Sequence, residues 1–598
     1  MFQKKIFLTC ILALFIVGFF LYAFNLKNGL FWDDEDWIIN NPAVHVFNAT
    51  NLKFIFSHDT LAGIGLRSNY YRPVLFLSFM LNYIISGTKP LVYHLTSNLI
   101  HLANAVLIFF LLKRFDLGSQ KRSNLVAFLA SLMFLIHPLQ TEAVTYISGR
   151  GDPLSVFFML LALYLWNNDL EGRYGKTVDN SLKRHSMSLR VFSVIFMILA
   201  VLSRETAFLF PLYLTVFLMA FVHKDRFWLS LKRSILSAWP FYAVSLVYGI
   251  LRLTVLNFQN TLNFYQQSNV YTEHLSYRLY TFFQVIVVYV KLIFIPTGLH
   301  MERDVLINTS LFQWPVWFGA LIFIGVVFIG FILYQSEKMI SHFRIWFFTW
   351  GIFFVALLPT SGIAPINALI YEHWLYFSLF GFFTLVAFYL DKLFELVRHN
   401  RVVKITLIIL LVVYFGFWAK QTIARNIIWG QPDKFYQNIL NYEPNNVRAL
   451  TNLANIYADR QELSKAEELL WKAIAVDDVQ PQPYYNLGNI LQTKGDIAGA
   501  IELYKKSLAV DKNFPYAYQN LAGIYARQGR LPEALDSLEK LSAIKSFNPE
   551  VWYNLALIRQ AMGDRKNALK DALKTKALLQ PSNSQSLELV DKLISQLK

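Results

Sequence analysis

Two patterns of apolar and polar positions divide this 598-residue chain. Up to about residue 430, long apolar stretches follow one another with short polar segments between them. From about residue 445 to 583 the pattern turns amphipathic with a helical period. The apolar stretches predict membrane helices at residues 6–24, 91–112, 123–137, 153–168, 189–203, 206–222, 235–255, 314–334, 345–359, 374–391 and 404–421. Residues 73–86 are short for a span, and Arg278 and Lys291 interrupt residues 278–296. Both read as helices lying at the interface. Residues 6–24 follow Lys4 and Lys5 without a small-residue cleavage site, so they read as a retained helix.

The amphipathic part repeats every 34 residues. Asn-Leu recurs at 452–453, 486–487, 520–521 and 554–555, and alanine at 466, 500, 534 and 568. Gly495, Gly529 and Gly563 keep the same spacing. This is the tetratricopeptide (TPR) pattern of paired antiparallel helices. The expected organisation is all-α: a membrane body at 1–425, a lead-in at 426–446, four repeats at 447–583 and a capping helix at 584–598. Asn452, Asn486, Asn520 and Asn554 share one register of the first helices. Such an amide ladder can donate to and accept from an extended acceptor peptide. The plainer reading is common repeat sequence.

Composition agrees with a polytopic protein: mean hydropathy is +0.38, and 55% of residues are hydrophobic. The net charge of +16 is explained by topology and needs no nucleic-acid partner. With the N-terminus inside, the inner segments hold 21 Lys and Arg in 73 residues and the outer ones 10 in 156. Eleven spans then place the repeats outside: in the periplasm if the membrane is a bacterial inner membrane, or in the ER lumen. The single cysteine, Cys10, lies in the first span and says nothing about redox compartment.

Chemistry-bearing residues gather in the outer loops. Asp33, Asp34, Glu35 and Asp36 follow the first span, between Trp32 and Trp37. Residues 137–152 read HPLQTEAVTYISGRGD, and residues 203–206 read Ser-Arg-Glu-Thr. Charges that recur at span ends on one side are costly unless they pair or act. The plainer readings are an interfacial charge run, Arg150 paired with Asp152 or Glu142, and an intrahelical Arg204–Glu205 pair.

The blocks FWDDEDWIINNPAV (31–44), YYRPV (70–74), HLTSNLIHLANAVL (94–107), HPLQTEAVTYISGRGD and LSRETAFLFP (202–211), followed by TPRs, resemble one family. It is the transmembrane and TPR-containing protein O-mannosyltransferases, of the GT-C superfamily. Arg204 stands where the family has lysine, and His373 where its second basic block has arginine. The resemblance implies a glycosyltransferase with a polyprenyl-phosphate-linked sugar as donor, mannose by inheritance, and Ser or Thr hydroxyls of proteins as acceptors. A carboxylate should take the hydroxyl proton in an inverting displacement. The resemblance places that base at Asp34 or Asp33, with Asp34 slightly favoured. Arg150 and Arg204, then Arg72, are the candidates for the donor phosphate. Glu142, Asp152 and Glu205 are supporting acids. No cofactor is expected, and a shared divalent metal is the less favoured alternative. The competing classes are a membrane-anchored TPR scaffold and a lipid-linked glycan transporter or polymerase.

Overall fold

A computed structural model describes residues 2–64, 67–115, 120–174, 180–223, 225–258, 270–363, 368–545, 548–579 and 584–598. The regular secondary structure of these residues is helical, with no strand. The chain forms two compact units, Met1–Thr60 with Ser68–Gln431, and Leu61–Arg67 with Pro432–Lys598.

The first unit is a helical bundle. Its long helices are α1 (Phe2–Tyr22), α4 (Leu91–Leu112), α5 (Gln120–Ile136), α7 (Gly151–Tyr174), α8 (Asn180–Ser203), α13 (Leu275–Phe294), α14 (Trp314–Gln335), α15 (Ile340–Leu357), α16 (Ser378–Leu396) and α17 (Arg401–Ile428). Between them lie the shorter α2 (Ala49–Ser57), α3 (Pro73–Ser86), α6 (Thr141–Thr145), α9 (Phe210–Phe221), α10 (Phe227–Ser237), α11 (Trp239–Leu253) and α12 (Val270–Glu273). Among the described residues six helices are long and apolar enough to cross a membrane, or up to eight if each of two bent pairs is one span. The bent pairs are broken at His137 and Ala238, where Pro138 and Pro240 follow. Proline removes a backbone donor and clashes with the preceding turn.

Hydrogen bonds sort the loops to two ends of this bundle. At one end Arg122 pairs with Glu395, Arg114 Nη2 donates to the Tyr164 hydroxyl (2.8 Å), and Phe227 N donates to the Tyr334 hydroxyl (3.4 Å). These are the Lys- and Arg-rich loops. The acidic loops meet at the opposite end, described below as the site end. Helix α13 meets the length and apolarity of a span, yet both its termini bond at the site end. Arg278 Nε donates to the Gly362 carbonyl (2.6 Å), and the Ile293 carbonyl accepts from His137 Nε2 (3.0 Å). Gly319 lets α14 cross α13 closely: a Cβ there would lie 2.0 Å from the Phe283 carbonyl oxygen.

The second unit opens with α18 (Pro432–Tyr442). Four helix pairs follow: α19 (Val447–Asp459) and α20 (Leu463–Val476), α21 (Pro481–Thr493) and α22 (Ile497–Val510), α23 (Pro515–Arg527) and α24 (Leu531–Ile544), α25 (Pro549–Ala561) and α26 (Arg565–Leu578). Helix α27 (Ser584–Leu597) closes the array, burying Val590, Leu593 and Ile594 against Ala568 and Ala572. The repeated Ala466, Ala500, Ala534 and Ala568 are fully buried, which brings neighbouring helices close. The tight turns inside the last three pairs need positive φ, supplied by Gly495, Gly529 and Gly563. In the first pair Gln461 takes that conformation at φ 63°.

Candidate active site

The loop after α1 is held by amides. Asn25 Nδ2 donates to Asn98 Oδ1 (3.0 Å) and to Thr145 Oγ1 (3.1 Å). Thr145 Oγ1 in turn donates to Asn426 Oδ1 (2.5 Å), and Asn426 Nδ2 donates to the Leu21 carbonyl (2.9 Å). Asn25 and Asn426 are fully buried, so the network ties the ends of α1, α4, α6 and α17 together. From this anchor the chain passes Trp32, whose φ of 64° is a left-handed conformation rare for a bulky residue. Backbone of this kind persists where its surroundings over-determine it. Here it turns Asp33 and Asp34 toward the loop at 146–152.

Asp34 is 2% exposed. Its Oδ1 accepts from Ser148 N (2.8 Å) and from Ser148 Oγ (2.5 Å). Burial raises its pKa to about 7 from an ordinary 3.8, against the lowering effect of both Ser148 bonds. Asp33 is half-buried and its charge acts on the Tyr146 hydroxyl, while the Tyr146 ring stacks on Trp429 (5.3 Å).

A second cluster joins the other expected residues. Arg72 Nε pairs with Glu205 Oε2 (2.8 Å), and its guanidinium lies over Tyr70 and Trp37, at 4.4 and 5.7 Å. Arg204 Nε pairs with Asp152 Oδ1 (3.2 Å), and Arg204 Nη2 donates to His373 Nε2 (3.1 Å). His373 Nδ1 donates to Glu142 Oε1 (2.5 Å). Gly151 permits this assembly, since a Cβ would meet the Ser203 carbonyl at 3.2 Å and Arg204 Cδ at 3.4 Å. Among the described residues, the Nη1 atoms of Arg72 and Arg204 have no protein hydrogen bond. Both guanidinium groups thus keep donors for an outside anion. No three of His, Cys, Asp and Glu among the described residues form a metal-holding group.

Tetratricopeptide-repeat family models match residues 447–476 and 491–574. A protein O-mannosyl-transferase of Caenorhabditis elegans is 27% identical over 486 residues, covering 78% of this chain and 62% of that protein. Protein O-mannosyl-transferase TMTC3 of Homo sapiens is 35% identical over 176 residues, covering 29% of this chain and 18% of its own length. The crystal structure of MamA covers 24% of this chain and 85% of its own, at 26% identity and TM-score 0.22. This chain is similar to the TMTC protein O-mannosyl-transferases, and it carries TPRs. It spans less than two thirds of the length of the two curated relatives.

Within that likeness, Arg150 stands apart from the other two arginines. It is fully buried, and its donors go to Ser97 Oγ (3.0 Å), Asn82 Oδ1 (2.7 Å), Ser78 Oγ (3.2 Å) and the Tyr93 carbonyl (2.7 Å). No carboxylate pairs with it among the described residues. It braces α3 and α4 against the 146–152 loop. Two other arginines join the site end from segments outside the expected motif blocks. Arg425 Nη2 pairs with Glu372 Oε2 (2.9 Å), and Arg303 Nη2 lies 3.7 Å from Glu372 Oε1. Burial raises the Glu372 pKa, and Arg425 opposes it. The only sequence signal for Arg425 was a cation at the outer end of a long span.

In the repeat unit the asparagines are partly used between repeats. Asn486 Nδ2 donates to Asn455 Oδ1 (2.7 Å), and Asn520 Nδ2 to Asn489 Oδ1 (2.7 Å). The acceptors sit three residues after the ladder register. For Asn554 the corresponding acceptor position is Gly523, which has no side chain. Asn452 belongs to the first repeat and has none before it.

Proposed function

We propose that the chain transfers a sugar, mannose on the strength of its relatives' names, from a polyprenyl phosphate to Ser or Thr hydroxyls of proteins. The carrying observation is Asp34, a buried carboxylate raised to about 7 whose hydrogen bonds come from neutral groups, the Ser148 amide and hydroxyl foremost. A base is most effective when its pKa lies near the working pH. In the reaction the acceptor oxygen attacks the anomeric carbon as its proton passes to Asp34. The bond from that carbon to the phosphate oxygen breaks on the opposite face, and configuration inverts. The leaving phosphate gains charge, which the Nη groups of Arg72 and Arg204 stabilise. No step calls on a metal.

The site end is the extracytoplasmic side in this reading. It gathers the loops poor in Lys and Arg, while the basic loops gather at the other end. The bonds at both ends of α13 support its lying along that surface. An odd number of spans then carries the repeats to the same side, in a bacterial periplasm or an ER lumen, where they recruit the acceptor protein.

The test is transfer of mannose from a polyprenyl-phosphate donor to a purified acceptor by the Asp33→Asn/Asp34→Asn protein. Loss of transfer is expected; undiminished transfer overturns the assignment. A cysteine introduced near residue 480 should react with an impermeant thiol reagent in intact cells. Protection there would place the repeats on the cytoplasmic side.

A further inference from the structure

We propose that His373 is a positioning residue that aims Arg204 at the donor phosphate while leaving its charge intact. The inference rests on the sugar-transfer reading above. His373 Nδ1 donates to Glu142 Oε1, so the lone pair of Nε2 is left to accept from Arg204 Nη2 at 3.1 Å. Asp152 holds the same guanidinium at Nε, at 3.2 Å. Two anchors fix the plane of the fork, and Nη1 remains for an anion.

The chemistry of the second anchor matters. A second carboxylate in its place would orient Arg204 equally well, but it would add a further negative charge to that of Asp152 and so oppose phosphate. A neutral imidazole orients without adding that charge. The ring itself is locked by Tyr371, stacked at 5.1 Å, and by the edge of Trp374 at 6.1 Å. The charged groups facing it are Glu142 on α6, Asp152 on α7, Arg204 at the end of α8 and Arg72 before α3. Burial, with Arg204 and Arg72 adding to it and Asp152 opposing, holds the imidazole pKa down at about 3, so it stays neutral across physiological pH.

Single substitutions separate its two bonds. Asn at 373 keeps an N–H for Glu142 and loses the acceptor for Arg204. Gln at 373 reaches the Nε2 position with an oxygen and loses the bond to Glu142. The measurement is the Kd of the full-length protein in nanodiscs for a short-chain polyprenyl phosphate, read by tryptophan fluorescence. His373→Asn is expected to weaken binding about tenfold, as Arg204→Gln does, and the double variant no further, because both act through one guanidinium. His373→Gln should stay within about threefold of the unaltered protein. Unchanged binding by His373→Asn, or losses that add in the double variant, overturn the inference and leave the transfer reading standing. Should His373→Asn fail to fold, a tenfold loss in His373→Gln overturns it instead. An unaltered protein that does not bind polyprenyl phosphate would sink the donor assignment and this inference together.

Discussion

Asp34 and Asp152 are both buried carboxylates at the site end, and they are held in opposite ways. Asp34 is bonded by a backbone amide and a hydroxyl, and no cation pairs with it among the described residues. Asp152 is paired with Arg204. A carboxylate stabilised only by neutral donors, in a buried place, keeps its affinity for a proton, and Asp34 is raised to about 7. In the proposed reaction Asp34 is therefore the base, while Asp152 serves as an anchor for Arg204.

The sharpest way to break this comparison is to neutralise each acid in turn. Asp34→Asn should lower kcat by roughly 10²- to 10⁴-fold with little change in donor KM. Asp152→Asn should act mainly on donor KM, since it frees Arg204. Initial rates of mannose transfer over a donor titration separate the two; matching profiles would erase the distinction.

A smaller effect concerns stability. The folded pKa of Asp34, about 7, lies above the ordinary 3.8. Between those values the folded protein keeps a proton that the unfolded chain has released. Ionising Asp34 therefore destabilises the fold as pH rises from about 4 through 7. Asp34→Asn should melt at a higher temperature than the unaltered protein at pH 8, by an amount worth on the order of a few kcal/mol. The difference should vanish near pH 4. The same titration should make kcat/KM rise with pH through about 7 in the unaltered protein.

Ser148→Ala removes the 2.5 Å bond to Asp34. Hydrogen bonds to charged groups contribute about 1.5–3 kcal/mol, so the alkaline shift of that kcat/KM profile should be about one to two pH units. An unmoved profile would show that Ser148 does not set the base. The least effect is expected in the repeat unit. Gln461→Gly relieves a left-handed conformation and should stabilise the repeats by about 1 kcal/mol in a denaturant melt.

How far each region could be read from sequence follows from how local its signal is. The repeats were legible residue by residue: helix pairs, buried alanines and turn glycines recur at one spacing, so each copy checks the others. The role of their asparagines was not. Whether Asn486 faces a peptide or its neighbour Asn455 depends on the stacking of adjacent repeats. In the membrane unit the acid and arginine blocks were legible as motifs, but their pairings were not. Arg150 and Arg204 look alike in sequence, each within two residues of a carboxylate. Arg150 is enclosed by hydroxyls, an amide and a carbonyl of α3 and α4, while Arg204 is left with an open edge.

The sequence by itself determined the all-α class, the apolar helices, the repeat array and the acid-bearing loops, because apolarity, helical period and repeat spacing are carried by neighbours along the chain. Only the tertiary structure decided which carboxylate meets a cation and which meets a hydroxyl. It also decided that Arg425 and Arg303 join Glu372, and that His373 bridges Glu142 and Arg204. Proton affinity and charge at these groups depend on partners up to hundreds of residues away, and burial turns those contacts into chemistry.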